Sequence, residues 1–339
     1  RMPARTKGHA TNADVARQAG VDRAVVSKVL SGDPSLRVRD ETRQRVREAA
    51  AALDYRPNFH ARSLASARTG AVGLLVPVDN PLMVPLIAGA EEVAAERGLL
   101  LWTTAHEGEL TERYLRLLRS GAVDAALVAG LRAGYSADRL LRDPRVPTLL
   151  VDRRTVGSER WIILDDERAA RLATEHLIAL GHTRIGWAGG RAGVDTAERR
   201  QNGIRDAMAA ADLWLDPSWV VGTDYTPEGG AGAVAEIMRS RTRPTAIVAA
   251  DPTEALGAWH ELVREGLRVP QDVSLIAIHK LPAEDYRVAP LTCVEMPLRE
   301  LGRRSVELVL DTPWGVPIRE TLTDGYRVTD GATVAPVAQ

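Results

Sequence analysis

From Ala71 onward, short apolar runs alternate with amphipathic stretches of helical period, and that rhythm leaves few folds open to the chain. AVGLLVP (71–77), LLLWTTA (99–105), VDAALVA (123–129) and PTLLVD (147–152) have the length and content of buried strands, whereas 84–97 and 109–120 carry apolar residues at helical spacing. The alternation continues with helix 166–180, strand 184–188, helices 197–211 and 228–239, strand 246–250, helix 253–265 and strand 274–278. Strands separated by helices pair in parallel, with helices on both faces of the sheet. Roughly 260 residues of this pattern exceed one comfortable sheet. Two α/β lobes with a cleft are therefore expected, and ligands in such sheets bind at the carboxyl ends of the strands.

The first 68 residues break this rhythm and carry the opposite charge. They hold 14 Lys+Arg against 7 Asp+Glu, whereas the remaining 271 hold 30 against 38, so a formal net charge of -1 conceals a basic head on an acidic body. Such a head suits a polyanionic partner. Thr11, followed three residues later by Asp14, starts a helix running to about Ala19, with Val15, Ala16 and Ala19 on its apolar side. Gly20 supplies a turn, and a second helix from Asp22 to about Leu30 buries Val26, Val29 and Leu30 along with Val21. Two short helices joined through a glycine turn describe a helix-turn-helix. The face left over on the second helix, Arg23, Ala24, Ser27 and Lys28, offers donors and one methyl to a major groove. A third helix from about Asp40 to Leu53 turns Val46, Ala49, Ala50 and Leu53 inward and Arg43, Arg45 and Arg47 toward solvent or phosphate. A fourth short segment follows Pro57.

At Thr11 to Leu64 the chain resembles the LacI/GalR family of repressors. The motifs D-V-A-x-x-A-G-V, V-S-x-V-L, T-R-x-R-V and Y-x-P-N-x-x-A-R-x-L fall in order, and Val151-Asp152-Arg153-Arg154, HLIALGHTRIGWAGG (176–190), ALGAWHELVREGLRVPQDVSL (255–275) and PLTCVEMPLRELGRRSVELVL (290–310) extend the resemblance to about residue 330. It implies a small all-α helix-turn-helix headpiece over 1–56, a hinge helix and linker over 57–68, and over 69–339 an α/β bilobed, periplasmic-binding-protein-like (type I) domain with parallel sheets. The first lobe would comprise 69–163 and 296–321, and the second 164–295 and 322–339, with crossings near residues 163, 296 and 321. Arg23, Ala24 and Lys28 would read bases, and Thr11 and Ser27 would hold phosphates. Asn58 and Ala61 would sit on the hinge helix, and Leu64 would wedge into the minor groove, where unstacking is offset by the contacts a bent duplex permits. Asp22, Val25 and Arg39 depart from the family's usual Ser, Thr and Ser, which puts individual phosphate contacts in doubt and leaves the groove geometry intact.

Carried over residue by residue, the effector pocket would comprise Leu82 and Met83 at the rim of the first lobe, Asp152 at a strand end, Arg200 to hold hydroxyls or a carboxylate, and Tyr225 to stack on the ligand. Sugar-responsive members carry an Asn where this chain has Ala250, and an Asp where it has His279. His279 would either replace the missing carboxylate, bind an acidic ligand when protonated, or be a buried histidine without a ligand role.

The implied function is sequence-specific regulation of transcription, as a repressor: a homodimer on a pseudo-palindromic, double-stranded operator, modulated by a small, sugar-like or otherwise polar effector. Control by a partner protein, or no effector at all, is the alternative, and a solute-binding receptor a further one. Catalysis is not expected. His260-Glu261 begins a zinc-protease-like motif whose fifth position is Arg264, no G-x-S-x-G elbow or P-loop is present, and the cluster Gly186, Gly189, Gly190 and Gly193 reads as a strand-to-helix turn. Asp165-Asp166 reads as a lobe crossing followed by a helix cap. No cofactor or metal is expected. Without a signal segment or an apolar span the expected location is cytoplasmic, and the lone Cys293 reads as a buried thiol. No apolar heptad tail calls for a tetramer.

Overall fold

The computed structural model describes residues 10–31, 36–55, 69–77, 80–106, 118, 120–130, 146–283 and 288–337. The chain divides into two units, residues 1–69 and 70–339. The hinge positions Asn58, Ala61 and Leu64, and nearly all of the helix expected over 109–120, lie outside the described residues.

In the first unit, α1 (Asn12–Ala19), α2 (Arg23–Ser31) and α3 (Asp40–Ala52) pack around Val15, Ala16, Ala19, Val26, Val29, Val46, Ala49 and Ala50. The Asp14 carboxylate accepts from both the backbone N–H and the hydroxyl of Thr11, which fixes the start of α1. At its other end Gly20 adopts φ +66°, and its N–H donates to Ala16 O. That left-handed residue turns the chain into α2, whose own start is held by the Asp22 carboxylate accepting from Ala24 N–H. Val25 packs against this core, so its departure from the family's threonine serves the interior rather than the DNA face. Arg43, expected to face solvent or phosphate, instead donates to Leu36 O at 2.6 Å and ties the segment before α3 to the bundle. Arg45 and Arg47 are exposed.

The second unit holds two six-stranded sheets. The first has β1 (Ala71–Pro77), β2 (Leu100–His106), β3 (Ala125–Ala129), β4 (Thr148–Val151), β5 (Arg160–Leu164) and β11 (Ile318–Leu322) in the order β11-β5-β4-β3-β1-β2, all parallel. The second has β6 (Ile185–Ala188), β7 (Val220–Val221), β8 (Ala246–Ala249), β9 (Ser274–Ile278), β10 (Thr292–Glu295) and β12 (Arg327–Val328) in the order β12-β10-β9-β8-β6-β7. Only β12 is antiparallel to its neighbour. In each sheet the chain reverses its direction of travel beside the strand it begins with, which opens a crevice at the carboxyl ends. Strands 160–164 and 318–322, and the helix over 298–311, were not distinguished by periodicity; the edge strand β11 alternates buried and exposed residues. Cys293 is fully buried on β10. Among the described residues no helix is long and apolar enough to cross a membrane.

The helices are α4 (Met83–Glu96) and α9 (Leu298–Asp311) on the first sheet, and α5 (Asp166–Ala179), α6 (Asp195–Ala210), α7 (Pro227–Ile237) and α8 (Pro252–Arg264) on the second. The chain passes between the sheets at residue 165, at 296–297 and at 323–326. Tyr326 joins the first and third passages: its hydroxyl accepts from Asp165 N–H at 2.6 Å and donates to Leu322 O at 2.8 Å. The guanidinium of Arg168 lies over its ring and donates to Thr323 O.

Three helix pairs meet backbone to backbone, the third where a Cβ on Gly203 of α6 would fall 2.1 Å from Glu167 O of α5. A Cβ on Gly257 of α8 would fall 1.7 Å from Pro227 O, and one on Gly302 of α9 would fall 2.0 Å from Leu86 O. Because a carbonyl cannot step aside as a side chain does, Gly257→Ala should force α7 and α8 apart and destabilise the body by about 1 to 3 kcal/mol. Urea denaturation checks this. An unchanged midpoint would mean that the two helices are not in register-critical contact.

Candidate functional site

The polar groups of interest gather at the carboxyl ends of strands. Asp152–Arg154 follow β4, the turn 189–194 follows β6, Gly222–Thr226 follow β7, Ala250–Asp251 follow β8, and His279 follows β9. Asp152, Tyr225 and His279 adopt φ of +75°, +65° and +70°. Such angles are uncommon for side-chain-bearing residues and persist only where the surroundings impose them.

At the centre is the buried carboxylate of Asp166. Its Oδ1 accepts from Arg200 Nε at 2.6 Å and its Oδ2 from Arg199 Nη1 at 2.5 Å. Burial works against ionisation of this carboxyl, but Arg200 and Arg199 overcome it and hold the pKa below the usual carboxylate range. Arg199 also donates to Leu164 O (2.7 Å), Asp152 O (3.3 Å) and Asp195 Oδ2 (3.0 Å). Arg200 also donates to Ala250 O (2.8 Å) and to His279 Nε2 (2.9 Å). Because guanidinium only donates, Nε2 is the acceptor and the ring proton sits on Nδ1, which is buried without a partner among the described residues. Burial, and then the charge of Arg200, push the His279 pKa down to about 3. The imidazole is neutral at physiological pH, so the expectation that it binds an acidic ligand as a cation is corrected.

Asp166 corrects a second expectation. The cap of α5 is Asp165, whose Oδ1 accepts from Arg168 N–H at 3.0 Å; Asp166 is the first helical residue and turns inward.

Between the lobes lies a cavity of about 280 Å³. Among the described residues, Pro77, Asn80, Pro81, Gly130 and Arg153 line it from the first lobe, and Arg191, Val194, Thr223, Asp224, Tyr225, Thr226, Asp251 and Thr253 from the second. The Arg153 guanidinium lies over the Tyr225 ring at 5.3 Å, and the Tyr225 hydroxyl is 3.3 Å from Thr196 Oγ1. Arg154 grips Asp195 through Nε (3.1 Å), Nη2 (2.9 Å) and its backbone N–H (3.1 Å). Three consecutive first-lobe residues thus engage the second lobe.

Of the seven effector positions expected, Tyr225 alone is among these lining residues. Leu82 and Met83 are each 4% exposed and belong to the first-lobe core, because the turn at Asn80-Pro81 points them under the sheet and leaves the rim to Asn80 and Pro81 themselves. Ala250 is fully buried and Asp152 nearly so; burial raises the Asp152 pKa. Arg200 is 4% exposed, and every nitrogen of its fork is engaged inside the protein. Behind Tyr225, Glu254 Oε1 accepts from Tyr225 N–H at 2.9 Å, and Glu254 Oε2 is buried without a partner among the described residues. Burial and then the neighbouring Asp251 push the Glu254 pKa up to about 9. Sequence reasoning missed Asp166, Arg199, Arg153, Asp195 and Glu254; the adjacent arginines at 199 and 200 were the available signal. No group of three His, Cys, Asp or Glu able to hold a metal occurs among the described residues.

On the head, Arg23, Ala24, Ser27 and Lys28 are all exposed on one face of α2. Thr11 is exposed as well, with its hydroxyl donated to Asp14 at 2.7 Å.

Two family models match the chain: bacterial regulatory proteins of the lacI family over residues 11–58, and a periplasmic binding protein-like domain over 174–334. The HTH-type transcriptional repressor PurR of Aliivibrio salmonicida is 32% identical over 308 residues, covering 89% of this chain and 92% of the relative. The chain belongs to the LacI family. The ribose operon repressor of Haemophilus influenzae is 32% identical over 305 residues, covering 89% of this chain and 91% of the relative. A solved structure of the transcriptional regulator CelR with cellobiose matches with a TM-score of 0.71 and 27% identity, covering 96% of this chain and 99% of that one. As a LacI-family protein the chain is a DNA-binding transcriptional regulator with a helix-turn-helix head and a periplasmic-binding-protein-like body.

Two predictions follow from the charges. In the unfolded chain Asp166 titrates at an ordinary carboxylate pKa, near 4, and its folded pKa is lower. Its contribution is therefore complete above the unfolded value and lost as pH falls through the folded one. Asp166→Asn, which takes from Arg200 its ion-pair partner and leaves Arg199 with Asp195 alone, should destabilise the body by about 3 to 5 kcal/mol at neutral pH and lose this acid-range step. For Glu254 the sign reverses: with a folded pKa of about 9, stability falls as pH rises from the unfolded value toward 9. Glu254→Gln keeps the acceptor for Tyr225 N–H and should be more stable than the parent at pH 8, with a flatter pH profile; denaturation midpoints across pH test both.

Proposed function

We propose that the protein is a cytoplasmic, effector-responsive repressor that binds a pseudo-palindromic operator as a homodimer. The observation that carries this reading is the face of α2: Arg23, Ala24, Ser27 and Lys28 stand together and exposed on the second helix of a helix-turn-helix. An arginine can bind a guanine edge through two hydrogen bonds, and an alanine methyl can pack on a thymine methyl. Thr11 and Ser27 would serve phosphates, while Asn58 and Ala61 on the hinge and Leu64 in the minor groove complete the contact.

The interlobe cavity is the effector site in this reading. The CelR–cellobiose relative supports a small polar ligand there, and Tyr225 supplies the stacking face. Asp152, Arg200, Ala250 and His279 act from behind the cavity by setting the strand ends, and Leu82 and Met83 through the core beneath its rim. The body binds and does not catalyse. A ligand that grips both lobes favours one relative angle of the lobes and so changes the spacing of the paired heads, by no more than its differential affinity for the two states. Dimerisation is supported by Val84, Leu100 and Trp102, which are 60%, 49% and 43% exposed on α4 and the edge strand β2. The domain division proposed is 1–56, 57–68 and 69–339, the lobes being 69–163 with 296–321 and 164–295 with 322–339.

A mobility-shift assay on DNA upstream of the protein's own coding region tests the reading. Arg23→Ala should weaken specific binding about 10- to 100-fold, Leu64→Ala should weaken it too, and affinity should fall steeply with salt. Binding that is insensitive to both substitutions and to salt would refute it.

A further inference from the structure

We infer that the effector is a neutral, hydroxylated molecule of two rings, a disaccharide, whose second ring lies in a groove outside the interlobe cavity, beside the turn at Arg191 and Ala192; this rests on the cavity being the effector site. At about 280 Å³ the cavity is at the foot of the range of about 300 to 1,000 Å³ typical of small-ligand sites. A groove of about 330 Å³ continues it, lined among the described residues by Arg191, Ala192, Gly222, Thr223, Asp224 and Gly229. Arg191, Thr223 and Asp224 line both spaces, so the two meet at these side chains.

The groove depends on missing side chains. Gly222 and Gly229 line it, and a Cβ on Gly229 would fall 2.3 Å from Asp224 Oδ1, which accepts from the Thr226 hydroxyl at 2.6 Å. Its charged groups have opposite roles: the guanidinium of Arg191 only donates, the carboxylate of Asp224 only accepts, and both residues are exposed. A hydroxyl does both. Adjacent hydroxyls of one ring can therefore meet the two groups together, and a neutral ligand leaves the opposed charges balanced. None of the described groove-lining residues is aromatic, whereas the cavity has Tyr225. A ring with an apolar face fits the cavity, and a second ring recognised through its hydroxyls fits the groove. The lobes divide these tasks. The cavity is lined from both lobes, but all six groove residues belong to the second. Contacts of the outer ring thus add affinity without favouring either lobe angle, and the inner ring alone biases that angle.

The test is calorimetric titration of the full-length protein with maltose, cellobiose, sucrose and lactose, each against its component sugars D-glucose, D-fructose and D-galactose. At least one disaccharide should bind about tenfold or more tightly than either of its components. Ala192→Trp, which fills the groove from an exposed turn position, should cut that affinity by about tenfold or more and leave any monosaccharide binding unchanged. Ala192→Gln, which fills less of the groove, should cut it less, and thermal melts of both variants should match the parent. A monosaccharide that binds as tightly as its disaccharide, or a disaccharide indifferent to Ala192→Trp, would overturn the outer ring; loss of that binding in Tyr225→Ala would leave the cavity as the effector site. A sugar that still binds when Ala192→Trp and Tyr225→Ala are both present would overturn both readings. Heat from none of the disaccharides would overturn the outer ring.

Discussion

One buried carboxylate organises the body. Asp166 is the first residue of α5, immediately after the chain leaves the first sheet, and its two oxygens point neighbouring arginines in different directions. Arg199 reaches back to Leu164 O and Asp152 O on the first lobe, whereas Arg200 reaches forward to Ala250 O and His279 on the second. Taking such charges out of water is expensive, and an apolar cluster of equal volume would serve stability as well or better. What the ions add is direction: a guanidinium with every nitrogen engaged leaves the strand ends it touches little freedom. Asp152 and His279, both of positive φ, sit on the cluster.

The same arrangement determines what the cavity can recognise. By drawing Arg200 inward, Asp166 keeps its guanidinium out of the described lining of the cavity. The lobes communicate through the segment 152–154, where a carbonyl, a guanidinium on an aromatic ring and a salt bridge reach Arg199, Tyr225 and Asp195 in turn. Around the other side of the crossing, the Tyr326 hydroxyl fastens residue 165 to residue 322. Cleft contacts and hinge contacts thus share the N-terminal region of α5, so a change at one is felt at the other without any long pathway.

The fold was legible in the sequence because its signals are local. Alternating apolar runs and helical periods announce parallel sheets, and Gly20 between two amphipathic stretches announces the head turn. Where the reading failed, the missing information was three-dimensional. Either of two consecutive aspartates can cap a helix, and only the arrival of Arg199 and Arg200 from thirty-odd residues away decides that Asp165 caps while Asp166 turns inward. Leu82 and Met83 follow a proline turn that could have faced the cleft; their apolar side chains fill the first-lobe core instead. Arg200 was found by motif, but a motif does not say whether a fork is open. The edge strand β11 alternates too weakly in apolarity to stand out without its partner β5.

The division of charge between head and body can now be read energetically. A head of +7 favours DNA through phosphate contacts that hold for any sequence, and a -8 body disfavours it, so in the proposed dimer control would act on how two heads are placed. Coupling between a small ligand and such placement is typically about 1 to 3 kcal/mol. The contacts that bridge the lobes are of that order. A partly exposed pair such as Arg154 with Asp195 contributes on the order of 1 kcal/mol or less, and a guanidinium over an aromatic ring contributes about 0.5 to 2 kcal/mol. An interface of this strength is strong enough to hold one lobe angle in the absence of ligand. It is also weak enough for a ligand that contacts both lobes to shift that angle.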